Sequence, residues 1–326
     1  MVELSASSPQ RVNLNELGPQ DVPSVARLQG GGYVIAWSSA KNGDSSMPFD
    51  VCFQVYDANS ARVGSNACLS AAQQRAGAPR IAPHPDGGFT IAWNEAATSD
   101  APVWRWQEFD AGGQARSGIQ GGNLPFAFTA ERLAGGGYVR LLVTQGQGPS
   151  ISFQLYAPDE TPVGGPRPVG DGSGGFAKVV SLAGGGFAVA WLDGGASTQV
   201  MTRAFSGDGT PLGAPLAVAP NTMGPVSCGR GGGTCPPWQN LLGLMAMDDG
   251  GYIVVWLDGT GIAMVGGLYA RQFRGDGSTA SNVIGRLRDW RDSVAGLDNE
   301  FVMAMRDTDS SSSGISFVKV DTSALR

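Results

Sequence analysis

The sequence predicts an all-β protein made of six repeats. In each repeat a turn pair, usually two glycines, precedes an aromatic residue, and four residues later comes a large residue that is most often tryptophan. The aromatic residues that define the repeats are Tyr33, Phe89, Tyr138, Phe187, Tyr252 and Phe301. Their spacings of 56, 49, 49, 65 and 49 residues give a period near fifty, which is typical of propeller blades. Glycine accounts for 50 of 326 residues, as expected of a turn-rich fold. We therefore expect a six-bladed β-propeller with four antiparallel strands per blade.

The fourth repeat, SLAGGGFAVAWL at residues 181–192, shows the pattern most clearly. Gly185 and Gly186 are expected to supply the positive φ angles of a tight hairpin. After the turn, large and small apolar residues alternate. The large residues are Phe187, Val189 and Trp191, and the small ones are Ala188 and Ala190. Because both faces are apolar, this strand is expected to pack between two neighbouring sheets.

A second hairpin follows in each repeat, so that each repeat supplies four short strands. Its first strand ends in a motif such as QVYD at residues 54–57, and a turn such as SGDGTP at residues 206–211 comes next. We predict one propeller over residues 1–326, with a loop insertion at 220–237. The predicted blades span residues 22–71, 78–123, 127–170, 176–219, 238–285 and 291–326.

The two ends of the chain predict how the ring closes. The sixth repeat stops after its third strand, at residues 315–320, whereas residues 10–14 form an additional short strand near the N-terminus. We expect this N-terminal strand to become the fourth strand of the last blade, because that pairing removes an exposed sheet edge.

Charge and hydropathy exclude two classes of partner. The formal net charge is −6 and the arginines are scattered, whereas nucleic-acid binding requires a basic surface. No segment approaches the roughly 18 apolar residues of a membrane span. We therefore expect neither a nucleic-acid partner nor a membrane span.

The four cysteines indicate the compartment. Cys52 and Cys68 lie symmetrically about a predicted hairpin turn, and Cys228 and Cys235 bracket the glycine-rich segment CGRGGGTC. Two local pairs predict two disulfides, and hence a secreted, periplasmic or cell-surface protein. The alternative is four unrelated buried thiols. A zinc site is disfavoured, because His84 is the only histidine.

The pattern L-x-x-G-G-[FY]-x-[VI]-x-W, followed by a Q-x-[FY]-D-x-x-G hairpin, resembles repeats of large secreted bacterial adhesin-like and calcium-associated surface proteins. The resemblance covers repeats one to five and is poor in repeat six. It implies propeller blades and a binding or adhesion role, but no single chemistry. The calcium-binding nonapeptides that often accompany such proteins are not found in this sequence. Kelch repeats are the second choice, since their glycine pair, tyrosine and tryptophan are spaced further apart.

Tryptophans are the first candidates for contacts with a ligand. The loops that join the second strand to the third, and one blade to the next, lie on one face of a propeller, and long loops are expected there at residues 38–49, 220–238 and 306–313. Trp238 and Trp290, which are outside the repeat pattern, belong to that face. Trp104 and Trp106 project from one side of a third strand, either as a stacking platform for sugars or as packing between blades.

Charged residues on the innermost strands are the second candidates. Arg27 and Arg132 are predicted ligand contacts, and Arg80 and Lys178 are the other two charges that we assign to these strands. This set of charged residues is small for catalysis, which requires several convergent polar groups.

Acidic residues are the third candidates. Glu95, Asp193, Asp258 and Asp307 each stand two residues after the repeat tryptophan position. Converging carboxylates there could bind Ca²⁺ or act as a general acid and base. The alternative interpretation is turn chemistry, because Asp-Gly is common in turns.

These observations favour a secreted or cell-surface binding or adhesion module that recognises a glycan or a protein. One alternative is a hydrolase or lyase, with or without metal assistance, whose carboxylates lie at the mouth of the central channel. The other is a structural repeat domain of a larger surface assembly, which would show apolar residues on the outer blade edges.

Overall fold

The computed structural model describes residues 5–14, 20–40, 49–69, 75–84, 86–96, 103–122, 130–144, 150–171, 177–193, 199–219, 226–228, 233–235, 237–260, 265–288, 292–297, 300–306 and 314–321. Within these ranges there is no helix, and the chain forms a six-bladed β-propeller with four antiparallel strands per blade. The predicted fold class is therefore confirmed. The same ranges contain no apolar helix long enough to cross a membrane.

Two short strands, β1 (Ser5–Ala6) and β2 (Gln10–Arg11), precede the repeats. The first blade consists of β3 (Gln20–Arg27), β4 (Tyr33–Ala40), β5 (Phe49–Tyr56) and β6 (Arg62–Leu69). The second blade consists of β7 (Arg75–Pro83), β8 (Phe89–Ala96), β9 (Val103–Phe109) and β10 (Gln120–Gly122). The third blade consists of β11 (Ala130–Arg132), β12 (Tyr138–Thr144), β13 (Ser150–Tyr156) and β14 (Pro162–Asp171).

The fourth blade consists of β15 (Ala177–Ser181), β16 (Phe187–Asp193), β17 (Gln199–Phe205) and β18 (Leu216–Ala217). The segment predicted as an insertion contains a hairpin of β19 (Val226–Cys228) and β20 (Gly233–Cys235). The fifth blade consists of β21 (Pro237–Ala246), β22 (Tyr252–Thr260), β23 (Val265–Phe273) and β24 (Ile284–Arg288). The sixth blade contains β25 (Asp292–Leu297), β26 (Glu300–Arg306) and β27 (Ile315–Asp321).

The glycine turn between the first two strands of a blade needs its glycines for two different reasons. Gly185 has a φ of 87°, a region in which a Cβ is penalised. Gly186 does not have a positive φ, but a Cβ there would collide with the carbonyl oxygen of Phe205. The prediction that both glycines supply a positive φ was therefore wrong for Gly186, where the close approach of a neighbouring strand requires glycine.

The chain divides into two compact units. Unit 1 comprises Met1–Ser5, Thr129–Trp290 and Thr322–Arg326, and it contains the third, fourth and fifth blades. Unit 2 comprises Ala6–Phe128 and Arg291–Asp321, and it contains the sixth, first and second blades.

In unit 2, the N-terminal segment completes the sixth blade, as predicted. Strand β2 pairs antiparallel with β27, with Gln10 opposite Phe317. The amide of Val12 donates to the carbonyl of Ile315, and the amide of Ile315 donates to Asn13 Oδ1. Arg62 of the first blade donates from Nη2 to the carbonyl oxygens of residues 11 and 12 at 2.7 and 2.9 Å. The chain is therefore closed by sheet pairing and by a side-chain bond to the adjacent blade.

Three blade contacts share one arrangement of aromatic rings, which we call the aromatic triad. In each triad, two rings of the later blade stack and a third ring comes from the preceding blade. The triads are Phe317 with Tyr33 and Tyr56, Phe53 with Phe89 and Phe109, and Phe153 with Phe187 and Phe205. Their ring centroids lie 4.8–5.7 Å apart. We call the contact between the first and second blades, in unit 2, the 1–2 seam, and that between the third and fourth blades, in unit 1, the 3–4 seam.

Strand β16 packs on both faces, as predicted for the fourth repeat. Phe187, Val189 and Trp191 belong to a buried cluster with the third blade. Ala188 and Ala190 belong to a buried cluster with the fifth blade. The alternation of large and small residues therefore separates two blade contacts.

Candidate functional site

The predicted ligand tryptophans divide into two groups. Trp104 and Trp106 lie in β9 and are partly buried, and the guanidinium of Arg80 lies 5.0 Å from the centroid of the Trp104 ring. In the second blade, the two tryptophans stand at the positions that Val51 and Phe53 hold in the first blade. Val51 and Phe53 are buried in a core cluster of unit 2. The side chains of Trp238 and Trp290 lie outside the described residues. The role of these tryptophans in ligand binding stays a prediction.

Two basic residues predicted to contact a ligand lie at one repeat position of the innermost strands. Arg27 pairs with Tyr33 in the first blade, and Arg132 pairs with Tyr138 in the third. Arg27 is half-buried and Arg132 is exposed. Their role as ligand contacts stays a prediction.

The predicted acidic residues differ strongly in their surroundings. Glu95 is buried in unit 2 and forms a 2.6 Å ion pair with Arg105. Asp258 is buried in unit 1, where the Gln239 amide donates to its Oδ2 at 3.4 Å. Asp193 is exposed, and Asp307 lies outside the described residues. In the described ranges, no three acidic, histidine or cysteine residues are grouped as metal ligands would be, and the calcium site stays a prediction.

The first predicted disulfide is confirmed. Cys52 and Cys68 face each other across β5 and β6 and are joined by an S–S bond of 2.04 Å. The backbones of Cys228 and Cys235 lie in the paired strands β19 and β20, but their side chains lie outside the described residues. The second disulfide stays a prediction.

A partly buried acid that the sequence analysis missed lies in the innermost strand of the third blade. Glu131 pairs with Val139, and the strand pairing places an apolar residue at this position in every other blade. These residues are Ala26, Ala82, Val180, Met245 and Ala295. The statement that Arg27, Arg80, Arg132 and Lys178 are the charges of the innermost strands was therefore incomplete.

Glu131 joins the third blade to the fourth. Its Oε1 accepts a hydrogen bond of 3.3 Å from the backbone N–H of Ser181, in β15. Strand β15 is the edge of its sheet, and the N–H of Leu182 bonds to the carbonyl of Gly186. Because N–H groups alternate in direction along a strand, the Ser181 N–H points away from the sheet. Burial raises the pKa of Glu131 to about 7, although the Ser181 bond acts in the opposite direction.

A cleft of about 390 Å³ opens at the 3–4 seam, where the turns of the third and fourth blades meet. Its apolar wall includes Leu133, Leu155 and Val163, and its polar residues include Arg167 and Asp208. Arg167 donates from Nη1 to the carbonyl oxygen of Asp208, and its guanidinium lies 5.8 Å from the centroid of the Phe153 ring.

The carboxylate of Asp208 is fixed by its own turn. Its Oδ1 accepts bonds from the Ser206 hydroxyl and from the backbone N–H of Thr210 at 2.9 Å. The hydroxyl bond, followed by the bonds from Thr210 and the charge of Arg167, lowers the pKa of Asp208 to about 2. The cleft therefore presents a fixed cation beside a fixed anion.

Exposed apolar side chains lie beside several outer strands. They are Ile119 in unit 2 and Val163, Leu212 and Leu216 in unit 1. Single exposed apolar residues are normal on protein surfaces. The structural-assembly alternative stays a prediction.

Fold and cleft together define the chain as a six-bladed propeller with a mainly apolar cleft between two blades that also contains an arginine and an aspartate. No protein-family model matches the sequence, and no curated protein matches it. A crystal structure of a protein of unknown function from Dyadobacter fermentans is similar, with a TM-score of 0.59 and 12% identity over 98% of this chain and 100% of that chain. A sialidase from Streptococcus pneumoniae has a TM-score of 0.55 and 8% identity, covering 96% of this chain and 70% of that chain. At these identities, the comparisons show the fold alone.

Proposed function

We propose that this chain is a binding module, secreted or exposed on a cell surface, that recognises a glycan or a protein partner. The observation that carries the proposal is the cleft at the 3–4 seam. Its wall holds a hydrogen-bond donor, Arg167, next to an acceptor, Asp208, and both side chains are fixed by neighbouring groups. Fixed polar groups on an otherwise apolar wall are typical of ligand sites.

The Cys52–Cys68 disulfide supports the proposed location. Disulfides persist in secreted and surface proteins and are rare in reducing compartments. The resemblance of the repeats to those of bacterial adhesin-like proteins supports the same location, and it supports a binding role.

The experiment that tests binding is a thermal-shift screen of the purified protein against glycans and divalent cations. We expect a glycan to raise the melting temperature by several degrees at saturating concentration. Loss of this shift in Trp238→Ala or Trp290→Ala would assign binding to the loop face. A shift caused by Ca²⁺ and lost in Asp193→Asn would support the predicted calcium site. A screen without any shift, followed by a protein-interaction screen without a partner, would contradict the proposal.

Hydrolysis is the second candidate function, and Glu131 is the observation that favours it. A carboxyl group with a pKa of about 7 can donate a proton at neutral pH and accept one afterwards. The similar structure from Streptococcus pneumoniae is itself a sialidase, so this fold is compatible with an enzyme.

Turnover of chromogenic glycosides tests this second candidate. An acid role for Glu131 would be supported if the wild-type protein hydrolyses a glycoside and the rate falls at least 100-fold in Glu131→Gln. The control variant Glu108→Gln should hydrolyse it at the wild-type rate. Turnover that is equal in Glu131→Gln and the wild type would contradict that role.

A further inference from the structure

The 3–4 seam differs from the repeat pattern at its outer strand as well as at Glu131. Arg167 in β14 pairs with Phe153 of β13. The register of the other blades places an uncharged residue at this position. These residues are Gln10, Ala67, Gln120, Leu216 and Ile284. A charge at a position that is uncharged in the other five blades is not required by the fold.

Arg167 is positioned by contacts on two sides. Its guanidinium lies over the Phe153 ring, and its Nη1 donates to the backbone of the next blade at Asp208. Gly209 permits this approach, because a Cβ there would lie 2.7 Å from Arg167 Nη1. An arginine has five N–H donors, and the bond to Asp208 uses one of them. The side chain is thus held in place with donor capacity beyond that bond.

The charges of the cleft select against ions. Arg167 and Asp208 carry opposite charges on the same cleft, so the pair has no net charge. An anion near Arg167 would be repelled by Asp208, and a cation near Asp208 would be repelled by Arg167. A neutral ligand with hydroxyl groups avoids both penalties, because each hydroxyl can accept from Arg167 and donate to Asp208.

The rest of the cleft complements the apolar face of a ring. Leu133, Leu155 and Val163 supply aliphatic surface, and Tyr156 supplies a partly buried aromatic side chain. The volume of about 390 Å³ lies near the lower end of the range for small-ligand pockets, roughly 300–1,000 Å³. Apolar surface beside a donor and an acceptor suits a ring with CH groups on one side and hydroxyls at its edge.

We propose that the cleft at the 3–4 seam binds a neutral sugar residue of a glycan, with Arg167 as hydrogen-bond donor and Asp208 as acceptor. This inference rests on the proposed binding function and assigns its ligand class. It places the sugar at the end of the blades where the glycine turns lie, whereas Trp238 stands at the start of β21, at the other end of the fifth blade.

The test is isothermal titration with a panel of neutral di- to tetrasaccharides built from glucose, galactose, mannose and arabinose. For the oligosaccharide that binds the wild-type protein, we expect Arg167→Ala and Asp208→Asn each to weaken affinity at least tenfold. Arg167→Lys keeps the positive charge but loses the planar guanidinium with its several N–H donors. The affinity of this variant for the oligosaccharide should therefore lie between those of Arg167→Ala and the wild type. Gln120→Ala is the matched control at the same repeat position of the second blade, and it should leave affinity unchanged.

The outcomes separate failure of this inference from failure of the proposed function. Binding that is unchanged in Arg167→Ala and Asp208→Asn but lost in Trp238→Ala or Trp290→Ala would overturn the inference and retain a glycan-binding module. A wild-type protein that binds no member of the panel would overturn the inference, and a protein-interaction screen that then found no partner would overturn the proposed function as well. If Arg167→Ala fails to fold, Asp208→Asn decides the test, because the Asp208 side chain is exposed and the substitution preserves its shape.

Discussion

The 1–2 seam and the 3–4 seam have the same aromatic core but different margins. The aromatic triad of the 1–2 seam consists of Phe53, Phe89 and Phe109, and the triad of the 3–4 seam also consists of three phenylalanines. At the margins, Ala26 and Ala67 of the 1–2 seam correspond to Glu131 and Arg167 of the 3–4 seam. The shared core explains cohesion between blades, so the two charges of the 3–4 seam are the residues that require a functional explanation.

The largest effect should come from removing the shared ring. Phe53→Ala and Phe153→Ala each delete a fully buried ring, and each should lower the free energy of unfolding by about 3–5 kcal/mol. The measurement is urea unfolding followed by tryptophan fluorescence. Nearly equal losses would confirm that the two cores are equivalent, whereas a loss confined to one variant would contradict the comparison.

A smaller and pH-dependent effect should distinguish the 3–4 seam. The pKa of Glu131 is raised from 4.5 to about 7, so between these values the folded state binds more protons than the unfolded state. The stability that Glu131 contributes is therefore present below pH 4.5 and is lost as the pH rises through about 7. Relative to Glu131→Gln, the wild-type protein should lose up to about 3 kcal/mol between pH 5 and pH 8.

Urea unfolding at several pH values measures this difference. Glu108→Gln replaces an exposed glutamate of unit 2 and serves as the control for the loss of one carboxyl group. A difference between the wild type and Glu131→Gln that stays constant from pH 5 to pH 8 would show that Glu131 is not protonated on folding.

The smallest effect concerns the glycines of two equivalent turns. Gly113 and Gly209 both have a φ of 82°, so alanine is strained at either position. A Cβ at Gly209 would lie 2.7 Å from Arg167 and 2.9 Å from Phe153, whereas at Gly113 the nearest atom, on Val55, is 3.2 Å away. Thermal unfolding should therefore show Gly209→Ala to be less stable than Gly113→Ala by about 1–2 kcal/mol. Equal losses would indicate that Arg167 moves aside without penalty.

The fold could be predicted because its signals are local and repeated. The glycine turn, the aromatic residue and the alternation of Phe187 to Trp191 recur at a constant spacing, and ring closure followed from the strand that the last repeat lacks. The predicted positive φ was right for Gly185 and wrong for Gly186. Glycine is needed at Gly186 because the carbonyl oxygen of Phe205 lies close to it, and no local sequence pattern reveals that contact.

The cleft was harder to predict than the fold. Glu131 can be found by aligning the repeats on their aromatic residue, where it stands directly before Arg132, but the charges assigned to the innermost strands did not include it. Arg167 can be aligned as well, because it follows Tyr156 by 11 residues just as Ala67 follows Tyr56. That alignment does not reveal the contacts of the Arg167 side chain with Phe153 and with the backbone of Asp208.

Hydrogen exchange with and without a bound neutral oligosaccharide tests the central claim most directly. If the 3–4 seam holds the sugar, exchange should slow in peptides covering residues 133–137 and 206–210. The matching peptides of the 1–2 seam, at residues 28–32 and 110–114, should be unchanged. Equal protection at both seams, or no protection at the 3–4 seam in the presence of bound sugar, would contradict the account.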